Sequence, residues 1–207
     1  MQPQRETRSK AATLSEQQVD ALMQQLREAY KDAPDYAKSA LEELRGELAT
    51  LPDTRMESAG RIGNRQGSVS ELTIIVPLVK GGAQRLRKLL KLLHGNFQGA
   101  DKVGSVHDMR FAFVDNDTKL LFATAYDGDW DAYIDDFVTK IPTSMDIFFC
   151  NLEGWPGIRH PRVKDWLVKH QITADAWYVA NPNLTVAETR RFERVGKAVD
   201  EFLDKLS

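Results

Sequence analysis

The chain has 207 residues, a formal net charge of -2 and a single cysteine, Cys150. One cysteine excludes an intrachain disulfide and any multi-cysteine metal cluster, and the near-neutral charge leaves no electrostatic footprint for nucleic acid or an anionic membrane. Hydrophobic residues at 42% and charged residues at 28% are ordinary for a soluble globular protein, and no apolar run is long enough to span a bilayer.

The first thirteen residues, MQPQRETRSKAAT, are polar, lack the apolar core of a secretory signal and read as a disordered tail. A cytoplasmic location is the expectation. From Leu14 the periodicity turns helical: Val19, Leu22, Met23, Leu26, Ala29 and Tyr30 recur at i, i+3, i+4 and i+7, with Ser15 as N-cap. Pro34 breaks that helix, and Tyr36, Ala40, Leu41, Leu44 and Leu48 form a second stripe. Residues 14–52 therefore read as a helical hairpin. Residues 53–69, rich in Gly, Ser and Arg, read as a linker.

The order of elements beyond it is informative. "ELTIIVPLV" (71–79) is a β-branched strand, and "GGAQRLRKLLKLLHGNF" opens on Gly81-Gly82 and continues as a helix. "KVGSVHDMRFAFVD" (102–115) and "LLFATAY" (120–126) are the strands of a hairpin turned by "NDTK". An aspartate-rich helix and a last strand, "SMDIFFCNL" (144–152), complete a β-α-β-β-α-β order. The expected class is α+β: a ferredoxin-like βαββαβ core over residues 70–207, with an N-terminal helical hairpin and a C-terminal helical extension. In that extension Val163, Trp166, Leu167 and His170 share a short helix face. "AWYVA" (176–180) suits a short strand. Thr185 caps a last helix striped by Phe192, Val195, Val199, Phe202, Leu203 and Leu206.

The stretch "AYDGDWDAYIDDF" (125–137) invites a metal reading. An EF-hand loop needs a glycine at its sixth position and a glutamate at its twelfth. Counting from Asp127, Ala132 and Val138 stand there instead. Helix start-up explains more: Gly128 makes the turn, Asp127 or Asp129 caps, Asp131 complements the helix dipole, and Trp130, Tyr133, Ile134 and Phe137 form the buried stripe. Asp127 also ends a strand, where pockets often open.

Both sheet faces read as apolar, so the sheet needs a second cover, either a twin sheet in a homodimer or the terminal helices. With "VHDMRFAF", then "LLFATAYDGDWDAYIDDF", then the "NLEGWPG" loop, residues 70–152 resemble the dimeric α/β-barrel group of ferredoxin-like proteins. That group includes dye-decolorising-type haem peroxidases, chlorite-dismutase-like proteins and small monooxygenases. The resemblance implies a dimer with a cavity that binds haem or a small hydrophobic ligand. Of the peroxidase motif G-x-x-D-G, Asp127-Gly128 matches and Thr124 stands at the first glycine.

Under that resemblance His107, Arg110 and Asp127 are the catalytic candidates. Trp155, Phe111, Tyr126 and Arg159 are the candidate lining of a ligand site, and His107 or His170 is the candidate haem-iron ligand. Each has a structural alternative. Strict alternation puts His107 and Arg110 on opposite faces unless a bulge intervenes; Arg110 can pair with Asp108 or Asp127; His160 lies in a solvated loop beside Arg159 and Arg162; His170 can serve packing; Trp155 can plug the end of the sheet; Cys150 can be a small buried hydrophobe. No G-x-S-x-G, P-loop, H-E-x-x-H or G-x-G-x-x-G occurs, and the glycine pair at 81–82 is a weak phosphate signal. Two functions follow: a haem-binding or small-molecule-binding protein, peroxidase-like or monooxygenase-like, or a non-catalytic protein-interaction or structural module that uses the apolar sheet face.

Overall fold

The computed structural model describes residues 15–48, 56–95 and 97–206. The tail expected over residues 1–13 lies outside them. The chain divides into two units, which part between Met56 and Glu57.

The first unit is the helical hairpin, α1 (Glu16–Ala29) and α2 (Asp35–Glu47). Ser15 caps α1 in a capping box with Gln18, and Pro34 stands immediately before α2. Arg27 donates from two nitrogens to Glu42, each at 2.7 Å, and Arg45 pairs with Asp20. Of the two helices' residues only Met23 and Leu41 are buried, while Leu22, Leu26, Tyr30, Leu44 and Leu48 stay exposed.

The second unit is built on one antiparallel sheet in the order β1-β2-β3-β5-β4. Its strands are β1 (Glu57–Ser58), β2 (Asn64–Gln66), β3 (Val69–Pro77), β4 (Val106–Val114) and β5 (Lys119–Asp127). Helix α3 (Gly82–Leu92) connects β3 to β4, and α4 (Trp130–Lys140) follows β5. Then come α5 (Pro142–Phe149), α6 (Val163–His170) and α7 (Val186–Asp204). The α+β class holds, and the order β3-β5-β4 with α3 and α4 is the split layout read from the sequence.

Three elements differ from expectation. The strand expected at 144–152 is helix α5, begun by Pro142 in its first turn and buried through Met145, Phe148 and Phe149, an i, i+3, i+4 set. What remains of a fourth strand is a bridge between Leu152 and Leu78, flanked by Val79 N–H donating to Asn151 O and Glu153 N–H to Pro77 O. The linker expected over 53–69 instead supplies β1 and β2, paired through Glu57–Arg65 and Arg65–Ser70. The strand expected at 176–180 is irregular, part of a strap from Gln171 to Pro182 that touches the free edge of β3 at its start and then passes β2 and the β2–β3 turn. Ile172 N–H donates to Thr73 O at 2.8 Å, Gln66 Nε2 to Trp177 O at 2.7 Å and Ser68 N–H to Pro182 O at 2.7 Å.

Cross-strand partners share a face, so the ladder assigns the core. Leu72, Ile74 and Val76 lie beside Thr124, Phe122 and Leu120, which lie beside Met109, Phe111 and Phe113. Helices α4, α5 and α6 cover this face with Trp130, Tyr133, Phe137, Phe148, Phe149 and Trp166. Tyr126 and Tyr133 stack with ring centroids 3.8 Å apart, and Phe122 meets Phe149 edge-on at 5.2 Å. The other face carries Glu71, Thr73, Ile75, Leu121, Ala123, Asp108 and Arg110. It is mixed rather than apolar, which corrects the expectation of two apolar faces.

Candidate functional site

The alternation in β4 is broken where the candidate histidine sits. Val106 pairs with Tyr126 and Asp108 with Ala125, so His107 is the extra residue of a β-bulge. The bulge turns His107 towards the end of β5, where its Nε2 meets Asp127 Oδ1 at 2.7 Å. Asp127 Oδ2 accepts the backbone N–H of Val186 at 3.0 Å, at the first turn of α7. One carboxylate thus ties together the bulge, the end of β5 and the root of the last helix.

The other candidates do not converge on this pair. Arg110 lies further along β4 and pairs with Asp108 at 3.3 Å, both side chains open to solvent. Tyr126 is fully buried against Tyr133, and burial drives its phenol pKa upward. Phe111 packs among Phe97, Phe122 and Phe148. Both are core residues and line no open site. Trp155 is half-buried against Phe149 and Trp166, and its Nε1 donates to Asp146 Oδ1 at 3.0 Å, so it plugs the end of the core. Arg159 is exposed in the loop before α6. His160 Nδ1 accepts the N–H of Arg162 at 3.1 Å.

An axial haem ligand presents a free ring nitrogen to an open face. The Nε2 of His107 is engaged by Asp127, and the ring of His170 lies 4.4 Å from that of Trp166 with Nδ1 bonded to Trp166 O. Each contact takes one ring nitrogen, and a metal-ligating histidine commonly makes such a bond to a carboxylate or backbone carbonyl through its other nitrogen.

The aspartates of the opening of α4 go to separate partners. Asp129 occupies the N-cap position without a side-chain cap bond and pairs with Arg65 at 2.8 Å. Asp131 pairs with Lys164 at 2.9 Å and with Arg61, and the Lys164 hydrogen bond holds its carboxyl below the ordinary aspartate range. The expected cap from Asp127 or Asp129 is therefore absent, and Asp127 serves α7 instead. Gly81 and Gly82 also have a structural use: Gly81 holds φ 74°, and a Cβ at Gly82 would lie 2.7 Å from Asn151 O. Cys150 is exposed, with Sγ 3.4 Å from Ile147 O, because the segment is a helix end and not a strand.

Two features went unread in the sequence. Glu71 is 4% exposed in β3. Its Oε1 accepts Asn64 N–H at 3.1 Å and Ala174 N–H at 3.2 Å, while Oε2 is buried with no partner among the described residues. Burial pushes this carboxyl up from the ordinary glutamate range. Beside it Trp130 Nε1 donates to Gln171 Oε1 at 2.8 Å. Nothing local marks Glu71, since a glutamate in an alternating strand reads as solvent-facing.

The second feature is α7. Its Thr185 and Glu188 form a capping box, and of its 19 residues only Val186 is buried. Beyond that root the apolar stripe stands in solvent: Phe192 is 50% exposed, Val195 49%, Val199 49%, Phe202 60%, Leu203 54% and Leu206 68%. Residues 192, 195, 199, 202 and 206 follow the 3-4-3-4 spacing of a coiled-coil seam.

No family model, curated protein or solved structure matches this chain. Among the described residues no helix is long and apolar enough to cross a membrane.

Proposed function

We propose that this chain is a non-catalytic protein-interaction module and that the seam of α7 is its contact surface. The carrying observation is the exposure of the whole seam. Single exposed apolar residues need no explanation, but a contiguous apolar stripe marks a binding surface. Isolated helices draw little stability from propensity alone; in proteins it comes from packing an apolar face. Beyond Val186, α7 has no such packing within the second unit, so its seam fits a partner helix.

The sheet face is a poorer contact surface, because Asp108 and Arg110 interrupt it with an ion pair. The catalytic reading of His107 and Asp127 has a simpler counterpart: the pair anchors α7. The test is a photo-cross-linking amino acid at position 202 of the full chain. The reading expects a covalent adduct with a polypeptide that is lost on Val199→Asp. Absence of an adduct, together with a Soret band on haemin titration, overturns it in favour of the haem-binding alternative.

A further inference from the structure

We infer that the helical partner of α7 is the α7 of a second copy of this chain, running antiparallel. The inference rests on reading α7 as an interaction surface and adds the identity and direction of the partner.

Charge is the first argument. Up to residue 197, α7 carries Arg190, Arg191, Arg194 and Lys197 against Glu188 and Glu193; beyond it come Asp200, Glu201 and Asp204, with Lys205 at the C-cap. Arg190 is held by Asp101 at 2.6 Å and Lys197 by Glu193 at 2.8 Å, so Arg191 and Arg194 carry the positive character of the first half. A helix with opposite charge on its two halves complements itself only when the second copy runs the other way. The same distribution is unfavourable for a lone helix, whose negative C-terminal end is disfavoured by nearby acids. No basic residue lies in the last turn of α7.

Register is the second argument. Antiparallel seams pack one heptad core position against the other. Setting Val195 opposite Val199 of the second copy also sets Phe192 opposite Phe202, since both pairs of numbers share the same sum. On the heptad of this seam Arg191 and Arg194 share a flank with Glu201 of the second copy and lie within two residues of level with it. Apolar layers and charges therefore select one alignment, centred on residue 197.

Gly196 is the third argument. Glycine inside a helix weakens it relative to alanine. A Cβ on Gly196 would meet nothing within 4 Å, so no contact within the chain calls for glycine there. Gly196 and Ala198 flank the seam beside the centre of the register, where small residues let two helices approach closely.

The experiment uses the full chain carrying Cys150→Ser, with a nitroxide label placed singly through Ala187→Cys, Lys197→Cys or Lys205→Cys. Sedimentation gives the mass, and pulsed dipolar spectroscopy gives the inter-label distance. At a helical rise of about 1.5 Å per residue, the antiparallel pair separates the labels along the axis by about 30 Å at 187, near 0 at 197 and about 24 Å at 205. The expected result is a two-chain mass that Val199→Asp and Phe202→Asp reduce to one chain while the near-ultraviolet dichroism of the aromatic core stays unchanged. The distance should be shortest at 197. Equal distances at all three positions overturn the antiparallel pair, although α7 would still be an interaction surface. A two-chain mass that survives both substitutions overturns the use of α7. A single-chain mass at the labelling concentration overturns self-pairing; a cross-link from position 202 to a polypeptide of different mass would then leave the interaction reading standing.

Discussion

Replacing Asp127 with alanine should loosen the root of α7 and cost the second unit about 2.5–4 kcal/mol. The side chain is 16% exposed and makes two short contacts, to His107 Nε2 at 2.7 Å and from Val186 N–H at 3.0 Å. A carboxylate accepting a backbone N–H at a helix start contributes about 1 kcal/mol, and a hydrogen bond to a charged group about 1.5–3 kcal/mol. His107→Ala removes only the first contact and should cost about 1.5–3 kcal/mol. The double substitution should fall short of the sum by about 1.5–3 kcal/mol, because the two side chains share that one interaction. Urea denaturation followed by tryptophan fluorescence is the assay. All four tryptophans (Trp130, Trp155, Trp166 and Trp177) lie in the second unit, so the signal isolates it. Strict additivity, or an Asp127→Ala midpoint equal to that of the unsubstituted chain, would refute the latch. Normal stability with loss of a small-molecule activity would restore the catalytic reading of Asp127.

Three further outcomes follow from the same structure. Gly63→Ala should lose at least about 2 kcal/mol in the same assay, since Gly63 has φ +94° and a Cβ would lie 2.6 Å from Glu71 O and 2.9 Å from Gln171 Nε2. Tyr133→Phe should cost about 1–2 kcal/mol, because it strands the buried Thr124 hydroxyl now 2.7 Å from the Tyr133 oxygen; thermal melts of the single and the Thr124→Val double variant measure it. Glu71 holds its proton more tightly folded than unfolded. Its contribution is complete below the unfolded glutamate pKa and is lost as pH rises through the raised folded value. The stability of Glu71→Gln relative to the unsubstituted chain should therefore improve from pH 4 to pH 7, and a difference constant with pH would contradict the buried carboxyl.

How much was legible follows from which signals are local. The β3-α3-β4-β5-α4 run was readable because its strands alternate and its turns carry Gly and Asp. Segment 142–149 was misread because a short apolar run such as "MDIFF" satisfies both the two-residue and the helical period. Pro142 was the discriminating sign. Strands β1 and β2, of 2 and 3 residues, are too short to show alternation, and their glycines looked like linker composition. The site was less legible still. The bulge at His107 changes which face it joins, and the partner of Asp127 lies 59 residues away at Val186. The seam of α7 is plain as a pattern, but only the fold shows that nothing in the second unit covers it.

Amide hydrogen exchange along α7 tests the central claim most directly. Residues 192–204 of the full chain should exchange slowly at high protein concentration. On dilution, and in Val199→Asp at any concentration, they should approach the rates of an unpacked helix. Slow exchange that persists unchanged in Val199→Asp, or fast exchange throughout, would contradict the claim that this seam is the working surface of the protein.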